Sequence, residues 1–205
     1  LNITGTKFAV GTLPLIAYSA KTGSGSFSVG PLPPGVVANL VDSGSLIYLN
    51  ITQVALPRWN GNVDSDWNTA NNWIDQVTLV ASSFADPNPV LFDDNATGST
   101  NVVLNSTATP SDVTFNNITK AYSLTTTGSG KITGATGFSK RGAGVLTITG
   151  IANDYTGVTR LEGGTISVDS LTNGGVAGLL GAATSASTNL VLAGGKLAYT
   201  GASTT

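Results

Sequence analysis

Apolar and polar residues alternate along this chain in short runs, with a period of two and not of three to four. The run Leu46-Ile47-Tyr48-Leu49-Asn50-Ile51-Thr52 reads as a strand, because side chains of an extended chain point alternately to its two faces. Residues 101–104, 113–115, 122–125, 145–149, 164–168, 190–192 and 196–199 carry the same signal. From residue 100 on, the strands recur at intervals of about 10 to 20 residues with Gly or Asn between them, a rhythm that suits an antiparallel sandwich or a parallel solenoid. Helical spacing is sustained only over residues 176–186, where Gly178 and Gly181 predict a turn.

A repeated device favours the solenoid. Glu162-Gly163-Gly164-Thr165-Ile166-Ser167-Val168 returns 31 residues later as Ala193-Gly194-Gly195-Lys196-Leu197-Ala198-Tyr199. A Gly-Gly turn that opens two strands in the same phase predicts stacked rungs sharing one corner geometry. In such a stack Leu146, Ile148, Ile166, Val168, Leu190, Leu192, Leu197 and Tyr199 face inward as apolar ladders. Thr147, Thr149, Thr165 and Ser167 then face outward as hydroxyl rows. Each rung hydrogen-bonds to the next, so stability sums over neighbours, and the end rungs present strand edges that must be covered or paired.

Composition narrows the picture further. Charged residues make up 10% of the chain and hydrophobic residues 40%, with a formal net charge of −2; an ordinary soluble domain carries about 25% charged residues. Disorder does not account for the shortfall, since it joins low hydrophobicity to high net charge. Thr, Ser, Asn and Gly fill the space instead, Thr suiting strands and Asn and Gly suiting tight turns. The nine Lys and Arg are scattered and only Lys140 and Arg141 are adjacent, so they form no positive stripe, which argues against nucleic acid as a partner. Without His there is no His-dependent triad or His-ligated zinc, and without Cys no disulfide. No run of about 18 apolar residues occurs, so no membrane insertion of this segment as a helix is expected. With no Met anywhere and a strand pattern starting at Leu1-Asn2-Ile3-Thr4, the chain reads as a processed product or a fragment.

One stretch is specific enough to suggest a family. It runs Ser139-Lys140-Arg141-Gly142-Ala143-Gly144-Val145-Leu146-Thr147-Ile148-Thr149-Gly150, then Asn153-Asp154-Tyr155-Thr156-Gly157-Val158-Thr159-Arg160, then Leu161-Glu162-Gly163-Gly164-Thr165-Ile166-Ser167-Val168. This closely resembles the passenger-associated transport repeat of bacterial autotransporters: a Lys, a G-x-G-x-L-x-L-x-G strand, an N-x-Y-x-G-x-T turn and a G-G-T-L strand. Val158 stands where that pattern usually has a second Gly, and Ile166 where it has Leu. Arg58-Trp59-Asn60-Gly61, Asp66-Trp67-Asn68 and Asn71-Asn72-Trp73 resemble the opening of the units that accompany the repeat. Val90-Leu91-Phe92-Asp93-Asp94 resembles the strand that follows, and Gly11-Thr12-Leu13-Pro14-Leu15-Ile16-Ala17-Tyr18 the closing segment of such a unit. The resemblance implies a right-handed parallel β-helix, export by an autotransporter route, and a product on the bacterial outer-membrane surface or released outside the cell.

Three groups of residues invite a functional reading. Trp59, Trp67 and Trp73, spaced by eight and six residues, are either a platform for sugar rings, as in a carbohydrate-binding module, or a packed cap where the solenoid restarts. Asp86, Asp93 and Asp94, with Asn88 and Asn95, either ligate calcium through oxygen or cap their own turns. A polysaccharide-lyase-like enzyme, the catalytic alternative, needs charge clustered on one face. Lys140 and Arg141 are adjacent and so predicted to point to opposite sides, with Arg160 and Glu162 two turns away. No catalytic, cofactor-binding or metal-ligating residue is therefore assigned. Asn-x-Ser/Thr sequons start at Asn2, Asn50, Asn95, Asn105 and Asn117, no more than chance supplies in a chain so rich in these residues.

The expected architecture is all-β, a parallel β-helix with a Trp-rich insert. Residues 1–57, with the bend Pro31-Leu32-Pro33-Pro34-Gly35, would close a preceding repeat unit. Residues 58–75 would form the Trp- and Asn-rich insert, and residues 76–205 the rungs, with the autotransporter-type repeat at 138–168. The function expected of it is structural or adhesive, without enzymatic activity or cofactor. Its expected partners are neighbouring repeats of the parent chain, other copies joined end to end into fibres, or surface glycans.

Overall fold

The computed structural model describes residues 10–30, 32, 36–54, 56–76 and 78–202, and contains no helix among them. The segment Leu1-Asn2-Ile3-Thr4, the sequon at Asn2, and Pro31, Pro33, Pro34 and Gly35 of the expected bend lie outside the described residues. Two compact units divide the chain, Leu1–Ala55 and Leu56–Thr205.

The first unit is an antiparallel sheet of Gly11–Ala17 (β1), Val36–Asp42 (β2) and Leu46–Val54 (β3), in the order β1-β3-β2. Alternation places Ile47, Leu49 and Ile51 of the central strand on one buried face. The β2–β3 turn follows from its residues. Asp42 accepts the Gly44 N–H at 3.0 Å, Gly44 takes a φ of 90°, and Ser43 donates its hydroxyl to the Leu46 carbonyl at 3.0 Å.

The second unit is the solenoid. It begins with three strands that turn back on one another: Pro57–Trp59 (β4), Trp73–Asp75 (β5) and Ala81–Ser82 (β6), joined antiparallel. The strands that follow are Val90–Asp93 (β7), Asn101–Leu104 (β8), Asp112–Asn116 (β9), Tyr122–Thr126 (β10), Gly137–Arg141 (β11) and Val145–Ile148 (β12). Thr159–Leu161 (β13), Thr165–Val168 (β14), Leu190–Leu192 (β15) and Lys196–Tyr199 (β16) complete it. From β7 on, odd and even strands sort into two sheets. One has the order β16-β14-β12-β10-β8, and the other β15-β13-β11-β9-β7-β4-β5-β6. Every pairing between these strands from β7 onward is parallel and in register. That is the stacked coil of a parallel β-solenoid.

The register explains the recurring Gly-Gly strand. Thr165 pairs with Lys196, Ile166 with Leu197 and Val168 with Tyr199, so the 31-residue echo is one rung lying on the next. Earlier rungs are shorter, with Asn101 beside Ser123 and Val145 beside Thr165. Unequal rung length hides the repeat from a search at fixed period.

Inward positions form continuous ladders. Val102, Leu124, Ile148 and Val168 are one such column, each fully buried. A second column is aromatic. Phe92 stacks on Phe115 with centroids 4.2 Å apart and planes at 8°, Phe115 on Phe138 at 5.7 Å, and Phe138 on Tyr155 at 5.7 Å. At its head Trp67 meets Trp73 edge-on at 5.1 Å, and Trp73 meets Trp59 at 5.1 Å.

Three of the expected inward residues differ. Leu190, Leu192 and Tyr199 are 43%, 58% and 53% exposed, while Leu197 is partly buried. Their phase is the expected one, since Leu190 lies beside buried Thr159, Leu192 beside buried Leu161, and Tyr199 beside buried Val168. Their exposure comes from position: β15 and β16 are edge strands, and an inward side chain is covered only when rungs lie on both sides of it.

Candidate functional site

Where the chain passes from the eight-stranded sheet to the five-stranded one, glycine is laid on glycine. Gly142 and Gly164 take left-handed φ values of 65° and 61°, which is the conformation glycine adopts without strain. Space excludes other residues as well. A Cβ on Gly142 would lie 2.3 Å from the Asn117 carbonyl oxygen, and one on Gly164 would lie 2.3 Å from that of Gly144. Backbone bonds close the contact: Gly144 N–H donates to Asn117 O at 2.9 Å, Glu162 N–H to Lys140 O at 2.8 Å, and Thr165 N–H to Gly144 O at 3.2 Å.

Buried polar side chains fasten these corners. Lys140, on β11 between Phe115 and Leu161, is fully buried. Its Nζ donates to the carbonyls of Arg141 and Gly142, the latter at 2.9 Å. Burial pushes the ammonium pKa down to about 8, with the field of Asp94 acting in the opposite direction. Asn117, also fully buried, donates its Nδ2 to Lys120 O at 2.6 Å and to Val145 O at 3.1 Å, so one side chain spans two rungs. On the third side of the coil Asn153 does the same. Its Oδ1 accepts the Ile132 N–H at 2.9 Å and its Nδ2 donates to Leu179 O at 3.2 Å. Tyr155 beside it is buried and exchanges a 2.9 Å bond with the Thr159 hydroxyl; burial raises its phenol pKa. Every one of these groups lies where an unpaired polar atom would be costly.

The Trp-rich start has fasteners of its own. Asn72 accepts the N–H groups of Val63 and Asp64 at 3.0 and 3.2 Å and donates to Asp64 Oδ1 and Asp66 O at 2.6 and 2.7 Å. Asn60 Oδ1 accepts from the Thr97 N–H and hydroxyl at 3.0 and 2.9 Å. Trp59 and Trp73 donate their indole N–H to Ser99 O and Trp67 O, both at 2.7 Å. The Trp67 N–H has no partner among the described residues, so packing alone holds that ring. All three indoles are fully buried and present no face to a sugar.

The acidic residues are dispersed over turns. Asp94 accepts the N–H groups of Ile118, Thr119 and Lys120, at 2.8 Å for the first and last, and these bonds lower its carboxyl pKa. Asp86 accepts the Thr109 N–H at 2.6 Å, and Asp93 that of Asn95 at 2.9 Å. Among the described residues no three acidic side chains gather into a group that could hold a metal.

Lys140 and Arg141 do point to opposite sides, one buried and one exposed. The expected separation from Glu162 is wrong. Parallel pairing of β11 with β13 lays one rung on the next and brings Arg141 Nε to 2.7 Å from Glu162. The two charges cancel on the outer surface, and Arg160 lies beside Ser139. Asn117, one of the sequon residues, is internal and has no room for a glycan.

Sequence reasoning quoted Lys140 and Asn153 as parts of a pattern and missed their role, and it missed Asn60, Asn72 and Asn117 as fasteners altogether. The available signal was phase. Lys140 follows Phe138 by two residues and Asn117 follows Phe115 by two, so each continues an inward alternation.

These corners define a class. Residues 138–168, which span β11 to β14, match the Passenger-associated-transport-repeat, and the segment is a β-solenoid of the autotransporter passenger type. Over 68 residues the chain is 50% identical to the adhesin BmaC autotransporter of Brucella suis biovar 1 (strain 1330). That stretch is 33% of this chain and 2% of the Brucella protein, so the chain spans a small fraction of the curated relative it matches. No solved structure matches it.

Proposed function

We propose that this segment is a stiff, non-enzymatic element of a surface-exposed or extracellular bacterial adhesin, holding binding surface away from the cell or adhering through its side. The observation that carries the reading is the unbroken parallel register from β7 to β16, pinned between rungs by buried Asn117 and Asn153, with buried Lys140 fastening the β11–β12 corner. Such a stack resists bending because each rung is bonded along its whole length to its neighbours. The name of the Brucella relative supports the adhesive part. Beads coated with the purified chain should attach to host-cell and abiotic surfaces above the level of bare beads, and should release no product from pectin-like or alginate-like polymers. Attachment equal to that of bare beads, or polymer cleavage, overturns the proposal.

End-to-end association is a second reading, favoured by the exposed Leu190, Leu192 and Tyr199 on edge strands β15 and β16. A strand edge with apolar side chains in phase is a template for another rung, from neighbouring repeats of the same chain or from another molecule. With a net charge of −2 there is little repulsion against this. Light scattering and electron microscopy at micromolar concentration test it, and a strictly monomeric species over a hundredfold concentration range rules it out.

A further inference from the structure

Lys140 is the one fully buried charged side chain among the described residues. It has no carboxylate in contact: its acceptors are the carbonyls of Arg141 and Gly142. A Cβ on Gly164, from the next rung, would stand 2.8 Å from its Nζ, so the ammonium sits in the seam between two stacked corners. The charged groups around it are engaged elsewhere. On β11 and just past β13, Arg141 and Glu162 pair with each other on the outer face. On β9, Asp112 bonds the Thr114 hydroxyl at 2.9 Å. Lys120 donates to the Ala96 carbonyl, Arg160 on β13 is exposed, and Asp94 caps the 118–120 turn. A buried charge without a counter-charge is a cost the folded state carries for as long as the proton stays bound.

We propose that Lys140 makes the seam between the β11–β12 corner and the β13–β14 corner respond to pH, tighter when the amine is neutral and looser when it is charged. A neutral amine still has two hydrogens for the Arg141 and Gly142 carbonyls, so losing the proton removes the buried charge and keeps the hydrogen bonds. The sign follows from linkage. The ammonium pKa is lowered to about 8 in the fold, so between that value and the ordinary lysine range the unfolded chain binds more protons than the folded one. Stability therefore rises with pH across that window. No His or Cys titrates in this window, and tyrosines, which ordinarily titrate near pH 10, enter only at its upper edge.

The test is denaturant unfolding of the full chain at pH 7, 8, 9 and 9.5, beside Lys140→Met, which keeps the length and removes the titration. The unfolding constant of the native chain should fall by about tenfold from pH 7 to 9.5, while that of the variant stays flat. A native chain indifferent to pH over this range, or a variant with the same slope, overturns the proposal. Should Lys140→Met fail to fold, lysine 13Cε resonances of the native chain decide. One lysine titrating near pH 8, with the Gly142 and Gly164 amide shifts moving alongside, supports the proposal; all lysines titrating above pH 10 sink it.

Discussion

The first strands of the solenoid and its last described rung are built from different materials. The start folds back on itself: β4, β5 and β6 run antiparallel, and Trp59, Trp67 and Trp73 pack edge-on beneath them, each fully buried. The last described rung has no such device. Its strands β15 and β16 stay parallel to their neighbours, and its in-phase apolar residues are exposed. Closing a stack takes bulk and a change of strand direction, whereas extending one takes only a strand in register. Substitutions should therefore be severe wherever rungs lie on both sides or indoles fill the end, and mild in the last rung.

The largest effect is expected in mid-stack. Ile148 is fully buried on β12 between Leu124 and Val168. Ile148→Asp places an unpaired charge there and should cost about 4 kcal/mol or more. A variant that melts like the parent would show that the inward phase is wrong. Next comes the start. Trp67→Ala should cost about 3–5 kcal/mol, since that ring touches Trp73, Phe84 and Phe92 and has no hydrogen bond to offset its loss. Adhesion of the folded variant should be unchanged; lost polysaccharide retention at an unaltered melting temperature would instead assign the indoles to binding.

A smaller effect separates polar fasteners from apolar packing. Asn153→Ala leaves the Ile132 N–H and the Leu179 carbonyl without their partner, at about 1–3 kcal/mol for a buried group left unpaired. Thermal melts of Asn153→Ala beside Asn153→Asp check it. The Asp variant keeps the acceptor for Ile132 and loses the donor to Leu179, so hydrogen exchange should quicken at Leu179 and its neighbours more than at Ile132.

How much of this was legible in the sequence depended on whether inward positions were apolar. Strands at Asn101–Leu104, Leu190–Leu192 and Lys196–Tyr199 matched residue for residue, because short runs rich in Val, Leu and Tyr stand out between Gly, Asn, Thr and Ala neighbours. Strands β11 and β13 were not read as strands. In Gly137–Arg141 an inward site is Lys140, and in Thr159–Leu161 one is Thr159, so their polarity hid the alternation. The candidate site followed the same divide. Glycine corners were visible as a motif, but which carbonyl each glycine meets depends on register across 20 or more residues, and local pattern does not encode that. The Arg141–Glu162 pair was missed for this reason.

Acid should act on the first strands and the last described rung unequally. Asp64 in the Trp-rich start is held below the ordinary carboxylate range by the Asp66 N–H and by Thr69 and Asn72, and Asp94 by three backbone N–H groups. A carboxyl with a lowered folded pKa contributes stability above its unfolded value, near pH 4, and loses it as pH falls through the folded value. Residues 163–202 contain one carboxylate, Asp169, so the last rung has little to lose. Asp112, whose pKa burial raises, works in the opposite direction and offsets part of the loss. Segment-resolved hydrogen exchange at pH 6 and pH 3 should show residues 56–100 opening more than residues 163–202. Equal opening in both would assign acid sensitivity to the stack as a whole.

The smallest expected effect is the sharpest comparison, because it uses one column of one sheet. Leu161 and Leu192 are register partners on β13 and β15, with the same residue type and the same inward phase. Leu161 is fully buried, while Leu192 is 58% exposed. If phase alone set the energetics, Asp at either site would be equally damaging. If cover by a further rung sets them, Leu161→Asp should cost several kcal/mol while Leu192→Asp stays within about 0.5 kcal/mol, the range of an ordinary surface substitution. Unfolding of the two variants in parallel, at concentrations low enough to keep the chain monomeric, makes the comparison. A large penalty at Leu192 in the monomer would mean that something in the same molecule already covers that rung. A penalty that grows with protein concentration would mean that another copy does, because a contact between molecules stabilises by mass action and one within a molecule does not.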